Sequence, residues 1–133
     1  MQIKPFAEFA AAGVPADKLV MGIAFYSRAF TLKESAKNGL GDSVLNSRYG
    51  KGYTFLKDSL INQKGFKKYY DKDAKASYLY NEASREYMTY DDERSVKAKC
   101  EYVLKNNMAG VMFWEYDSDL NGYLLHQINK SLK

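Results

Sequence analysis

Gly110-Val111-Met112-Phe113-Trp114-Glu115-Tyr116-Asp117-Ser118-Asp119 opens on a glycine, runs through apolar residues to the only tryptophan, and ends in an acidic, polar patch. A continuous apolar run of this kind reads as a parallel strand buried on both faces, its C-terminal end opening into a site. Upstream, Leu19-Val20-Met21-Gly22-Ile23-Ala24-Phe25-Tyr26 repeats the pattern, with Tyr26 and Arg28 at its end. Helices are expected around both strands. Ile3, Phe6, Phe9 and Ala10 share one face of a helix over residues 1–12, with Pro5 in its first turn, Gly13 closing it and Pro15 beyond. Asp92 can cap a helix over 93–107 whose inner face is Val96, Cys100, Val103, Leu104 and Asn107. Asp119 can cap a last helix with Leu124, Leu125, Ile128 and Leu132 turned inward.

Between the two apolar runs lies a block of different character. Residues 31–52 hold Gly39, Gly41, Gly50 and Gly52 with little periodicity and read as loop with short strands. Tyr53 to Ile61 suits a short helix. Phe66–Asp71, Ser77–Asn81 and Glu86–Tyr90 alternate and are joined by connections of hairpin length, which predicts a local antiparallel sheet with Tyr78 and Tyr80 on one face and Met88 and Tyr90 on another. Eight of the twelve tyrosines fall in this block: Tyr49, Tyr53, Tyr69, Tyr70, Tyr78, Tyr80, Tyr87 and Tyr90. Tyrosine has an apolar ring and a polar tip, so such a block fits either a half-wet sheet or a wall that contacts sugar. Removing the block leaves strand–helix–strand–helix, the unit of parallel sheets and (β/α) barrels. Two strands cannot close a barrel. The remaining strands are expected from residues outside these 133 or from a partner chain, and the bare strand edges are expected to promote self-association.

Composition narrows the function classes. The chain carries 20 basic and 16 acidic residues, net +4, and the basic residues are scattered rather than gathered into a stripe. That pattern argues against nucleic acid. No apolar run approaches the ~18 residues of a membrane span, and nothing reads as a leader. Cys100 is the only cysteine and lies on the expected inner helix face, as a small buried hydrophobe would. His126 is the only histidine and has no companion ligands in its pattern. Neither a metal nor a cofactor is called for.

Three stretches resemble one family, the family 18 glycoside hydrolases, the chitinases and their relatives. Gly13 to Arg28 looks like the family's seventh barrel strand with its lead-in. Ala74 to Ser95, with Ser77-Tyr78-Leu79-Tyr80 and Met88-Thr89-Tyr90-Asp91-Asp92, looks like the end of the chitinase insertion domain. Gly110 to Asp119 looks like the eighth strand, whose pattern is Gly-x-Met-x-Trp-Glu-x-x-x-Asp. The resemblance implies an α/β fold: the last two strand–helix units of a (β/α)8 TIM barrel with an inserted α+β domain. The expected division is residues 1–29 barrel, 30–91 insertion domain and 92–133 barrel.

The implied parent activity is retaining hydrolysis of β-1,4-linked N-acetylglucosamine polymers, in which the substrate's own acetamido oxygen attacks, an exception to the two-carboxylate scheme. The family's acid/base glutamate ends a run Asp-x-x-Asp-x-Asp-x-Glu, and a Met-x-Tyr-Asp motif lies on its sixth strand. Neither run occurs in these residues. The chain alone is therefore expected to be inactive, with no catalytic residue, and to supply cleft wall and floor. The resemblance assigns substrate contact to Trp114 as sugar platform, to Tyr26 and Arg28, and to Tyr90 and Asp91 where the insertion returns to the barrel. Arg28 fits a structural ion pair with Asp91 or Glu115 equally well, and Asp91 fits a helix cap. Ser27 stands where the family usually has glycine, and the glutamate many members carry near Tyr53–Lys57 has no counterpart. Two other functions fit these residues: a sugar-binding relative that has lost its acid, and a hydrolase of another N-acetylglucosamine-containing glycan. The implied partner is chitin or a related oligosaccharide, and the implied setting of the parent is secreted or cell-surface.

Overall fold

A computed structural model describes residues 3–34 and 37–133. Its secondary structure is mixed α/β, arranged around two sheets. Strands β1 (Val20–Ala24) and β7 (Gly110–Trp114) are the two apolar runs, and they pair in parallel, Met21 with Val111 and Ile23 with Phe113. The second sheet is antiparallel with strand order β3-β2-β6-β5-β4. Its members are β2 (Tyr26–Leu32), β3 (Val44–Gly52), β4 (Lys67–Asp71), β5 (Ala76–Asn81) and β6 (Glu86–Tyr90). Helices α1 (Ile3–Ala11), α2 (Tyr53–Ser59), α3 (Glu93–Lys105) and α4 (Tyr123–Ser131) complete the chain.

Phe25 is the pivot between the sheets. Its N–H donates to the Trp114 carbonyl at 2.8 Å, and its own carbonyl accepts from Tyr53 N–H at 2.8 Å. Its ring stacks on Phe113 with centroids 4.4 Å apart, a pair worth about 1 kcal/mol beyond area burial. The core gathers around it: Ile23, Tyr53, Leu56, Leu79, Met88, Tyr90, Val96, Cys100, Leu124 and Ile128.

The expected cap of α3 holds, while the N-cap position of α4 is Gly122, three residues after Asp119. Asp92 and Ser95 form a reciprocal capping box at the start of α3. The buried Asp119 carboxylate accepts from the N–H groups of Tyr123, Leu124 and Leu125 at 2.8–3.1 Å and so closes the start of α4. Cys100 is buried. The three-stranded expectation over 66–90 is matched by β4, β5 and β6, with Tyr78 opposite Thr89 and Leu79 opposite Met88.

Four expectations need correction. Residues 31–52 hold more strand than expected, because β2 runs on to Leu32 and Val44–Gly52 is one long paired strand. β3 is an edge strand with almost every side chain exposed, so no burial alternation marks it in the sequence. Leu104 is 53% exposed, because Val96, Cys100 and Val103 fill the inner stripe of α3 and Leu104 lies a step around the helix; Asn107 lies exposed in the turn beyond it. Phe9 is exposed too: α1 touches α3 through Phe6 and Tyr102, while the Ile3 side chain and residues 1 and 2 lie outside the described residues. Finally, β7 is buried on one face only. Val111 and Phe113 turn to the core, while Met112 and Trp114 are exposed beside Val20, because no described residue covers that side of the two-stranded sheet.

Candidate functional site

The C-terminal ends of β1 and β7 meet the antiparallel sheet at a concave pocket of about 440 Å³. All five residues singled out from the sequence line it: Tyr26, Arg28, Tyr90, Asp91 and Trp114. They are joined by Gly22, Ile23, Ala24, Lys75, Ala76, Thr89, Lys99 and Met112. Topology explains the gathering. Trp114 is the last residue of β7, Tyr26 begins β2 just past the end of β1, and Tyr90 ends β6, so three strand ends converge.

Trp114 is 63% exposed and free to present its ring. The Trp114–Glu115 peptide is cis. Tyr26, Arg28 and Phe30 share one face of β2, whereas Ser27 and Ala29 are buried on the other. Arg28 makes no ion pair with Asp91 or Glu115. Its guanidinium lies over the Tyr49 ring at 4.6 Å from the centroid, and among the described residues no carboxylate comes within ion-pair reach of it. This cation–π contact uses no N–H hydrogen bond and leaves the guanidinium donors for a ligand. Ser27, in place of the family's glycine, does not disturb the strand. Its hydroxyl donates to the Lys51 carbonyl at 2.8 Å, and it packs where Gly50 leaves room; a Cβ on Gly50 would come within 2.0 Å of Ser27 Oγ.

Asp91 is buried and fully engaged. Its Oδ2 accepts from Ala24 N–H at 3.0 Å and from Lys99 Nζ at 2.6 Å, and its Oδ1 accepts from Ser95 Oγ at 2.9 Å. The cap of α3 is Asp92, not Asp91. Lys99 also donates to the Gly22 carbonyl at 3.0 Å. Phe25 N–H points to β7, so by strand alternation Gly22 and Ala24 present their polar groups on the opposite edge of β1. The Asp91–Lys99 pair therefore occupies the strand edge that bounds the pocket. Lys99 was not singled out from the sequence. The signal was there in the four-residue spacing Asp91, Ser95, Lys99, which lines both side-chain partners of Asp91 along one helix face.

Tyr90 is 5% exposed, and its ring belongs to the core, stacked on Tyr53 with centroids 6.1 Å apart. Its hydroxyl is buried without a hydrogen-bond partner, and burial together with Asp92 and Glu93 pushes it well above the usual tyrosine range. Below it, burial alone would raise the Asp92 carboxyl, but Lys68 at 2.7 Å, Ser95 N–H and Ser77 Oγ hold it below its ordinary value. Burial likewise opposes Glu93, and its hydrogen bonds from Lys57 and Tyr53 win, keeping it low. These carboxylates brace the sheet and α3 beneath the pocket. Among the described residues no cluster of histidine, cysteine or carboxylate could hold a metal ion, and no helix is long and apolar enough to cross a membrane.

Comparison with known proteins places this geometry. Residues 3–119 match the family model described as Glycosyl hydrolases family 18. Chitinase A1 of Niallia circulans is 35% identical over 128 residues, covering 91% of this chain and 18% of that protein. Chitinase B of Serratia marcescens is 30% identical over 142 residues, covering 89% of this chain and 28% of that protein. Among solved structures, a family 18 N-acetylglucosaminidase from Paenibacillus barengoltzii matches with a TM-score of 0.89 and 39% identity, over 95% of this chain and 37% of that one. A family 18 chitinase from Cycas revoluta, crystallised with (GlcNAc)4, shares the fold at a TM-score of 0.84 and 24% identity, over 96% of this chain and 37% of that one. The chain thus spans well under half the length of each of these proteins. With its strand-end residues converging on one pocket and residues 3–119 matched, the chain belongs to the family 18 glycosyl hydrolases.

Proposed function

We propose that this chain supplies the floor and one wall of the sugar cleft of a chitinase-like hydrolase acting on β-1,4-linked N-acetylglucosamine polymers. In this reading β1 and β7, with α3 and α4, are the last two strand–helix units of a (β/α)8 barrel, and the antiparallel sheet between them is an insertion domain. The parallel pairing of β1 with β7 supports it, as do α3 packed on one face of that pair with α4 against α3, and the bare apolar face opposite, which further barrel strands would cover. The named chitinases among the relatives support the substrate class.

One observation carries the reading: Trp114 stands exposed at the C-terminal end of β7, on the same pocket as Tyr26 and Arg28. The Trp114 ring stacks on the C–H face of a sugar, Tyr26 flanks it, and Arg28 donates to hydroxyl or carbonyl oxygens. Asp91 and Tyr90 act by holding the wall. The Asp91 carboxylate is spent on Ala24, Ser95 and Lys99, and the Tyr90 ring is spent on the core. The family's acid/base run does not occur in these residues, so the chain binds without turning over.

Trp114 is the only tryptophan, so its fluorescence reports on this site alone. Titration with chitotetraose should shift the emission to shorter wavelength, and calorimetry should show Trp114→Ala weakening binding by about tenfold, the loss of one aromatic stack. A chromogenic chitobioside should not be cleaved. Chitotetraose binding equally well to wild type and Trp114→Ala, or a tryptophan spectrum indifferent to the sugar, would remove the basis of this reading.

A further inference from the structure

Among the described residues Tyr49 is the most exposed large hydrophobic residue, at 75%, and it lies outside the pocket lining. Three features set it apart from an incidental surface tyrosine. First, register: in the antiparallel sheet Tyr49 on β3 is directly opposite Arg28 on β2, and Arg28 is directly opposite Thr89 on β6. Directly paired residues share a sheet face, so Thr89, Arg28 and Tyr49 form one row across three strands, each about 4.8 Å from the next. Thr89 and Arg28 line the pocket; Tyr49 is the next position outward. Second, bracing: the Arg28 guanidinium lies on the Tyr49 ring, and the Tyr26 ring approaches it at a 6.0 Å centroid distance, tilted 56°. The side chains that hold Tyr49 are thus the two that face the pocket. Third, room: Arg28 covers one side of the ring, and the high exposure leaves the rest of it to solvent.

We propose that Tyr49 is a second sugar platform, one strand beyond the pocket, which takes the part of a long N-acetylglucosamine oligosaccharide that extends past Trp114 and Tyr26. This rests on the sugar-cleft reading above and adds a dependence on ligand length. Arg28 links the two platforms, lying over Tyr49 while pointing its N–H donors at sugar oxygens between them. A short oligosaccharide fills the pocket over Trp114 and does not reach Tyr49. A long one covers both rings.

The test uses the 133-residue chain with N-acetylated chitobiose and chitohexaose as probes, affinities being read by calorimetry. Tyr49→Ala should weaken chitohexaose binding about five- to tenfold and chitobiose binding by much less, whereas Tyr49→Phe should keep both affinities, because the stack needs the ring and not the hydroxyl. Far-UV circular dichroism should confirm an unchanged fold, since the residue is an exposed edge position. An equal loss for both sugars, or no loss for either, overturns the second platform. If chitobiose binding still depends on Trp114 in that case, the sugar-cleft reading stands and only Tyr49 falls. If neither sugar binds the wild-type chain, both fall.

Discussion

Replacing Asp91 by asparagine tests whether this carboxylate is part of the wall or a ligand contact. The carboxylate serves three donors: Ala24 N–H, Ser95 Oγ–H and Lys99 Nζ. An asparagine with its carbonyl turned toward Ala24 and Lys99 keeps two of them. Its amide then donates to Ser95 Oγ, whose proton can turn to the Asp92 carbonyl 3.1 Å away. What disappears is the charge facing Lys99, whose side chain is only 13% exposed. A charge-assisted bond contributes roughly 1.5–3 kcal/mol, while breaking a fully buried pair costs about 3–5. Residual exposure places Asp91→Asn near the lower range, about 2–3 kcal/mol. For a chain of this size that is a fall of roughly 6–12 °C in Tm. Thermal unfolding followed by far-UV circular dichroism, without any sugar, measures it. A double-mutant cycle with Lys99→Met should give a coupling of at least about 1 kcal/mol. If Asp91→Asn melts within about 2 °C of wild type, or the two substitutions add without coupling, the carboxylate is not a structural tie, and the role assigned to it here is wrong.

Two further outcomes are expected. A Cβ on Gly52 would come 2.6 Å from the Ser118 carbonyl oxygen and 2.8 Å from its Cα, backbone that cannot step aside, so Gly52→Ala should destabilise by about 1–3 kcal/mol in urea unfolding; an unchanged midpoint would mean that β3 and the 3₁₀ turn Tyr116–Asp119 are not held this close. Asp92 and Glu93 titrate below their ordinary 3.8 and 4.5 in the folded chain, so as pH falls the unfolded chain takes up their protons first. Stability from these groups is present above about pH 5 and lost on acidification through the folded values, Tm should fall steeply below pH 4.5, and Asp92→Asn should flatten part of that slope; a Tm independent of pH from 6 to 3 contradicts it.

The parts of the fold that the sequence exposes are those where burial writes a pattern. β1 and β7 were legible as apolar runs, β4 to β6 as alternating segments with hairpin-length connections, and α3 and α4 by Asp92 and Asp119. β3 was not legible. An exposed edge strand has no inner face to force alternation, and its Asn46, Ser47, Gly50 and Gly52 resemble loop. Its existence depends on pairing with β2, a tertiary event with no local signature. The site divides in the same way. Trp114, Tyr26 and Arg28 were named from the resemblance of their stretches to the family's strand ends, and the fold brings them to one pocket. Tyr49 lay hidden in the unread strand, and the Arg28–Tyr49 stack replaced the ion pair that charge alone suggested. Asp91 was named, but its use was obscured because Lys99, its strongest partner, is two helical turns away.

The occupied outer edge of β1 has a consequence for growth. Unpaired strand edges are where chains add strands indiscriminately, toward fibres. On β1 the two consecutive ladder positions, the Gly22 carbonyl and the Ala24 amide, are already held by an ammonium and a carboxylate. A newcomer strand must evict both before it can form its own bonds there, and must leave two charges with somewhere to go. The ion pair thus acts as a turnstile on an edge that would otherwise accept any strand.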